Sequence, residues 1–497
     1  MISVDALPWP DPEDVETCDP YPGEFVSPDD LPSSGLVVMD FSAHMIPRGV
    51  DERVIVRVLS TDDGDIDTAA IGVVSVTGGD DRRVCETIAV VDGQGEGICR
   101  FDEIGTIALT AGFTAVDGET LFGDRTVIVF ETQLPVWEMR IDASDYDEIM
   151  RSPGEEIYVP AELVAAGRGY GTEVRIHGGS SRSYPKKSFR FDLDKGLKLP
   201  DTHDHIILRA EWNDKSLLRN YLGLALFRNG TWLPTPSAEM VHFRVNERYY
   251  GVMWHVERIG GDFLRLRGMN NETCSMYEAD PAPACWIPGG DLSPLSDIQQ
   301  YQCVYDLKKG DPTYADLIDF IEHTLQLDDD EFGKVIGDVL DVDAYFAYLA
   351  AMSVIGNLDH IKKNYYLYRD PEAADDRWIF FPWDLELTFG HRWTEENDVL
   401  DEGIFFDMSP EYVEYRNRLI DKLFVHPRFL VRYYDILDHI LEHTFTMAFF
   451  KPRIERAVCA GAPDIWADTQ KRATNEEYQE RVTELYSYIE NRRRFLL

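Results

Sequence analysis

The chain has 497 residues, 44% of them hydrophobic and 12% aromatic, and a formal net charge of −42 at pH 7. That length exceeds one ordinary core and predicts two or three domains. The charge argues against nucleic acid as a partner, because a phosphate backbone would be repelled. No run of about 18 apolar residues is present to span a membrane.

The N-terminus, M-I-S-V-D-A-L-P-W-P-D-P, has neither a basic nor an apolar stretch, so it does not read as a secretory leader. Residues 1–34 are rich in Pro, Asp and Glu, too polar to order themselves, and read as an extended linker or strap. Residues 35–131 carry seven short alternating runs: G-L-V-V-M-D-F, R-V-I-V-R-V-L, G-V-V-S-V, E-T-I-A-V-V, G-I-C-R-F, G-T-I-A-L-T-A and R-T-V-I-V-F. Gly and Asp turns separate them, which predicts an all-β immunoglobulin-like sandwich, here without a Cys-Trp-Cys signature. The acidic turn Gly78-Gly79-Asp80-Asp81 reads as a solvated turn rather than a Ca2+ loop. Seven cysteines are present and no C-x-x-C pair, so a zinc site is not expected. Cys85 and Cys99 flank an apparent hairpin and are placed to pair. Cys274, Cys285 and Cys303 share a Pro-rich insertion that has room for a second bridge. Buried free thiols are the alternative for both sets, and bridges would imply an oxidising compartment.

Residues 132–497 form the larger unit. D-A-S-D-Y-D-E-I-M-R-S-P predicts a helix capped by Ser144 or Asp145 and stopped by Pro153. Two strand patterns follow, and then Gly178, Gly179, Ser180, Ser181 and Arg182 make a turn rich in donors that can approach a phosphate. After Pro185, Lys186 and Lys187 enter the strand S-F-R-F-D-L. Strand side chains alternate, and Lys187 shares the parity of Phe189 and Phe191, so Lys187 is expected to point inward. H-I-I-L-R-A-E-W-N-D-K-S-L-L-R-N-Y-L-G-L-A-L-F-R-N-G reads as a strand, a turn and a helix capped by Asn213 or Asp214. Arg219, beside the apolar stripe, is placed to reach either a phosphate or a core acid. V-H-F-R-V-N-E-R-Y-Y-G-V-M-W-H-V-E-R-I is a hairpin turning at Asn246-Glu247, with Glu257 at its end. Residues 270–310, dominated by Pro, Gly and Cys, read as a stapled loop or lid. Three helical patterns follow from Tyr314, and the third is apolar nearly all round, so it is expected at the centre of its lobe. An exposed acidic loop is expected after Gly390, then helices over 411–497.

Gly356 to Gly390 carries the densest chemistry. Asp359 and Asn364 are five residues apart, the separation between base and metal-binding amide in the kinase loop H-R-D-x-x-x-x-N. Two strand patterns, Tyr365 to Arg369 and Trp378 to Phe381, then lead to Asp384. Phosphoryl transfer needs a carboxylate to orient or deprotonate an acceptor hydroxyl, and oxygen ligands to hold Mg2+ against phosphates.

Four ordered blocks carry a family resemblance: R-I-H-G-G-S-S-R-S-Y-P-K-K-S-F-R-F (175–191), N-D-K-S-L-L-R-N-Y-L (213–222), Y-Y-G-V-M-W-H-V-E-R-I (249–259) and the Gly356–Gly390 stretch ending P-W-D-L-E-L-T-F-G. The chain resembles the CotH kinase family. The resemblance implies an α+β, atypical protein-kinase-like domain over 132–497, using ATP with Mg2+, or Mn2+ in its place, to phosphorylate a protein hydroxyl. It implies Asp359 as base, Lys187 on phosphate, Glu257 either as its ion-pair partner or at the nucleotide's ribose, and Ser180, Ser181 and Arg182 at the nucleotide. Trp383 would stack on adenine, and Asn364, Asp384 and Glu386 would hold the metal. The family pattern is W-D-x-D; Glu386 at its last position lengthens the arm and puts that ligand in doubt. A relic scaffold and transfer of AMP remain alternatives. A secreted or extracytoplasmic setting, with a surface or envelope partner on the sandwich, is the accompanying expectation.

Overall fold

The structure is a computed structural model that describes residues 33–41, 45–60, 65–78, 82–199, 203–281, 289–357, 359–391 and 417–497. Nearly all of the N-terminal segment, the tip of the Gly78–Asp81 turn and nearly all of the acidic loop after Gly390 lie outside the described residues, as do Cys18 and Cys285. The architecture is multidomain and mixed: β-rich at first, then α+β with a helical C-terminal part.

All seven alternating runs are strands. Two short ones, Ser33–Gly35 and Met45–Pro47, join them. They form a six-stranded and a three-stranded sheet around one apolar core. Strand Asp51–Val58 shows the cause: Val54, Val56 and Val58 are buried while the alternate residues face out. Cys85 and Cys99 are disulfide-bonded across this core. Cys303 is also disulfide-bonded, and Cys274 is a buried free thiol. Arg100 ties the sandwich to the next unit, meeting Asp51 at 3.0 Å and Glu247 at 3.2 Å.

Seven strands then close into a barrel: Val136–Ile141, Val159–Ala165, Arg168–His177, Ser188–Leu193, His205–Arg209, Arg248–Val256 and Ala238–Val245, the last pairing parallel with the first. Phe189, Phe191, Phe243 and Tyr250 fill its interior, with ring centroids 5.4–6.4 Å apart. Asn246 and Glu247 both take left-handed backbone (φ 48° and 67°), the form a two-residue hairpin requires. The helix after Ile141 is capped by Asp142, not by Ser144 or Asp145. Asp142 is extended, and its carboxylate accepts the Ser144 N–H at 2.8 Å.

The next helix, Arg219–Gly230, starts later than Asn213 or Asp214 would set it. Leu217 is left-handed (φ 58°), so the helix cannot run through it. Asp214 is spent on a tight turn, accepting the N–H groups of Ser216 at 2.9 Å and Arg219 at 2.7 Å. The Arg219 guanidinium pairs with the same buried carboxylate, so Arg219 reaches a core acid.

The expected lid differs most. Ser275–Ala279 and Tyr305–Lys309 are strands of a four-stranded sheet completed by Tyr365–Arg369 and Ile379–Pro382. Met276, Tyr277, Glu278 and Ala279 are all buried, and local Pro and Gly content did not reveal this. Behind the sheet lies helix Val342–Ile355, capped by Asp341 and ended by left-handed Gly356, with twelve buried residues. The helix Met447–Ala467 lies in the helical stretch expected over 411–497 and carries Pro452 and Pro463 inside it. Each proline removes a helix hydrogen bond, and burial of Phe450, Ile454, Val458 and Ile465 outweighs that loss. Helix Asn475–Leu496 closes the chain with a capping box at Thr474 and Glu477.

Candidate active site

The central helix delivers the chain to a short turn, Asp359–Ile361, facing the end of the last sheet strand. Asp359 is nearly buried, and its carboxylate meets Lys363 Nζ at 3.2 Å and accepts from Asn364 Nδ2 at 3.4 Å. Burial pushes its carboxyl above the usual range, against the pull of Lys363; the charge of Asp384 adds to the rise. Asn364 and Asp384 both hold left-handed backbone (φ 62° and 53°), which Asn and Asp tolerate better than most residues. Asp280, at the end of strand Ser275–Ala279, adds a further carboxylate in the field of Asp384 and Lys363.

Arg209, from the barrel, crosses to this loop. Its Nη2 lies 2.7 Å from Asp384 and 3.4 Å from Glu386, and its Nε 2.9 Å from Glu211. Glu386 also accepts from Asn213 at 3.2 Å. Its carboxyl is pushed up to about 8 by burial and by the charge of Asp384, with Arg209 opposing. Burial raises Glu211 as well, and its Oε2 has no hydrogen-bond partner. Sequence reasoning missed Arg209, Glu211 and Lys363. Only the position of Arg209 and Glu211 at a strand end beside a quoted block pointed to them.

The second and fourth blocks explain one another. Asn220 donates to Glu211 at 2.8 Å and accepts the N–H of Leu385 at 3.1 Å. Leu385 packs on Gly223, where a Cβ would come within 2.9 Å of it. Arg219 Nε donates to the Thr388 carbonyl at 3.0 Å. The helix therefore holds the loop that carries Asp384. Asn220→Ala removes two buried hydrogen bonds and leaves Glu211 worse paired. It is expected to cost about 1–3 kcal/mol of stability in a denaturant titration; an unchanged midpoint would remove Asn220 from this role.

The turn at Ser180–Ser183 is a short 3-10 helix after left-handed Gly178 (φ 113°). Tyr184 follows it, stacks on Trp212 at 4.8 Å and accepts from Asn213 at 3.0 Å. Asn213 thus links the turn to Glu386. Arg182 lies 3.7 Å from Glu156. Trp383 is buried and edge-on to Tyr366 at 6.0 Å, packed within the core of the helical lobe.

Lys187 stands away from the carboxylates. Its Nζ donates to the carbonyls of Arg182 (2.8 Å) and Tyr184, and burial lowers its pKa. Lys186 is the more deeply buried, at 2.6 Å from both Asp468 and the Val252 carbonyl. The expected Lys187–Glu257 pair is not formed. Glu257 binds Arg267 at 2.7 and 2.8 Å, His203 at 3.1 Å and the Ser237 N–H at 2.9 Å. Burial pushes its carboxyl up, and the bonds from Arg267 and His203 hold it below the usual range all the same. The reason lies in the closed barrel. Phe189 and Phe191 point into its interior, so their parity leads away from the cleft. The opposite face carries Arg175 and Arg190 in one row, and His177, Ser188 and Arg209 in the next. Burial and the nearby Arg209, Arg175, Arg190 and Arg258 keep His177 well below its ordinary pKa.

These elements define a two-part unit in which a barrel arginine meets an acidic loop beneath a four-stranded sheet. The CotH kinase protein model matches residues 174–496, and the chain belongs to that family. The chain is also 24% identical to the inner spore coat protein H of Bacillus subtilis (strain 168) over 376 residues, which is 74% of this chain and 97% of the relative. A solved chain from the Clostridium thermocellum CbhA fibronectin(III)-like modules aligns at 15% identity over 35% of this chain and 83% of its own; its TM-score of 0.16 carries no weight for the fold. Among the described residues no helix is long and apolar enough to cross a membrane.

Proposed function

We propose that this chain is a phosphotransferase with an atypical kinase-like domain, moving the γ-phosphate of ATP to a protein hydroxyl. The observation that carries the reading is the pairing of Asp359, buried and held by Lys363 and Asn364, with Asp384 close enough for its charge to act on it. Asp359 orients or deprotonates the acceptor hydroxyl. Its raised pKa suits a base, since a carboxylate that holds its proton more strongly also accepts one more readily.

Mg2+, or Mn2+ in its place, fits the donors here, which are hard oxygens. Among the described residues no three His, Cys, Asp or Glu side chains form a metal cluster. The ion would therefore take Asp384 and Asn364 from the protein and its other ligands from phosphate and water, the usual manner of Mg2+. It would supply charge against the phosphates. Glu386 is tied to Arg209 at 3.4 Å and Asn213 at 3.2 Å, so it is left out. Glu386→Gln is accordingly expected to change Mg2+-dependent ATP affinity less than about threefold at pH 7, read by calorimetry. A tenfold loss would restore Glu386 as a ligand. The Ser180–Arg182 turn stays with the nucleotide in this reading, through Tyr184 and Asn213, while Trp383, buried in the core, anchors the loop.

The relative's name places that protein in a spore coat, and the disulfides here favour an oxidising setting. A cell-envelope or secreted location, with an envelope partner for the sandwich, follows as part of the proposal. The test is transfer from α- and γ-labelled ATP to the chain itself and to acceptor proteins. Label from the γ position alone supports the reading. Label from the α position means AMP transfer, and none from either means a scaffold.

A further inference from the structure

Where residues 257–261 join the barrel to the helical lobe, a cavity of about 350 Å3 opens, lined by Arg258, Gly260, Gly261 and Asp262 on one side and Lys308 and Lys309 on the other. The charges around it do not balance. Lys308 is held by Glu278 and Asp306, at 2.5 Å each. Asp262 is held by Lys198 at 2.7 Å and Arg265 at 2.9 Å. Asp204, also on the wall, faces His205 at 3.7 Å and Lys198 at 3.8 Å. The Arg258 and Lys309 side chains have no hydrogen bond or ion pair with any described residue. Two unpaired cations in one pocket stand out in a chain of net charge −42.

The backbone is shaped around them. A Cβ at Gly260 would lie 3.0 Å from Arg258 Nη1, and one at Gly261 would lie 3.4 Å from Lys309 Nζ. Glycine at both positions leaves the two cation tips open to a small group between them. A guanidinium offers a planar fork of donors and an ammonium a point charge, a combination suited to phosphate oxygens. His177, whose buried Nδ1 has no hydrogen-bond partner, lies in the field of both Arg258 and Arg209.

We propose that this pocket binds a phosphate or pyrophosphate group through Arg258 and Lys309. The group is either part of the nucleotide or free phosphate. The nucleotide source rests on the phosphotransferase reading; the anion binding does not.

The test is calorimetry of the full chain with pyrophosphate, in low salt with EDTA. Wild type is expected to bind, more weakly as salt is raised. Arg258→Gln and Lys309→Gln are each expected to lose about tenfold or more in affinity, the scale of a lost charge-assisted hydrogen bond. Arg258→Lys should retain more than Arg258→Gln. Unchanged thermal unfolding keeps the comparison free of folding effects. Pyrophosphate competing with ATP, together with weaker ATP binding by Arg258→Gln, identifies the nucleotide as the source. Pyrophosphate binding that ATP leaves untouched identifies free phosphate. No binding by wild type, or equal binding by wild type and the Arg258→Gln/Lys309→Gln double variant, overturns the proposal. A wild type that transfers no label but binds pyrophosphate through these residues would sink the phosphotransferase reading alone.

Discussion

Asp359→Asn is expected to lower transfer by about 10²- to 10⁴-fold while leaving ATP and Mg2+ binding close to wild type. The substitution keeps the shape of the side chain and removes its charge. The amide still fits between Lys363 and Asn364 but no longer accepts a proton from an acceptor hydroxyl. The pH profile separates this role from a merely structural one. Burial raises the Asp359 carboxyl, and the base works only when ionised. Wild-type transfer should therefore fall as pH drops through a value above the ordinary Asp range, about 4. The variant's residual rate should lack that limb. Single-turnover transfer of γ-labelled phosphate, measured across pH with bound ATP monitored in parallel, checks both. Equal rates for wild type and variant would mean that another group is the base.

Asp384→Ala is expected to abolish Mg2+-dependent ATP binding. In the proposed site Asp384 is the one full negative charge bound directly to the ion, and Asn364 contributes only an amide dipole. The loss should be specific to the metal. Arg209 keeps Glu211 at 2.9 Å, and Asn220 still holds the backbone of Leu385, so the loop retains its supports. Calorimetry with ATP in the presence of Mg2+, and again with EDTA, reads the effect. A Mg2+-dependent affinity equal to that of wild type would remove Asp384 from the ligand set. Arg209 shapes the same experiment, because its Nη2 already sits 2.7 Å from Asp384. Ion binding must share or displace that contact, so Arg209→Gln should move Mg2+ affinity in the opposite direction from Asp384→Ala.

Much of the chain was legible locally. The seven alternating runs are strands because alternation is itself the burial pattern of a half-exposed strand. The apolar helix Val342–Ile355 is central because a helix without a polar face has nowhere else to go. Asp359 and Asn364 come together because five residues of a tight turn cannot carry them apart. The hairpin from Asn364 to Asp384 follows from two strand patterns and the polar turn between them.

Other features depend on contacts that no local pattern contains. Arg209 and Asp384 are 175 residues apart, and Lys186 and Asp468 are 282 apart. Parity along S-F-R-F-D-L correctly separates the two faces of the strand but does not say which of them meets the cleft. Closing the barrel turns the phenylalanines into a sealed interior and leaves Arg190 on the other face, which is why Lys187 and Glu257 found separate partners. The strands at Ser275–Ala279 and Tyr305–Lys309 looked like a lid because strand identity there comes from neighbours in the sheet, not from their own composition. By itself, then, the sequence determined the family, the strands of the sandwich, the central helix and the Asp359–Asn364 turn, all set by residues a few positions apart. Only the tertiary structure decided which charges meet, because an ion pair depends on distance in space, and the closed barrel sets that distance for residues far apart along the chain.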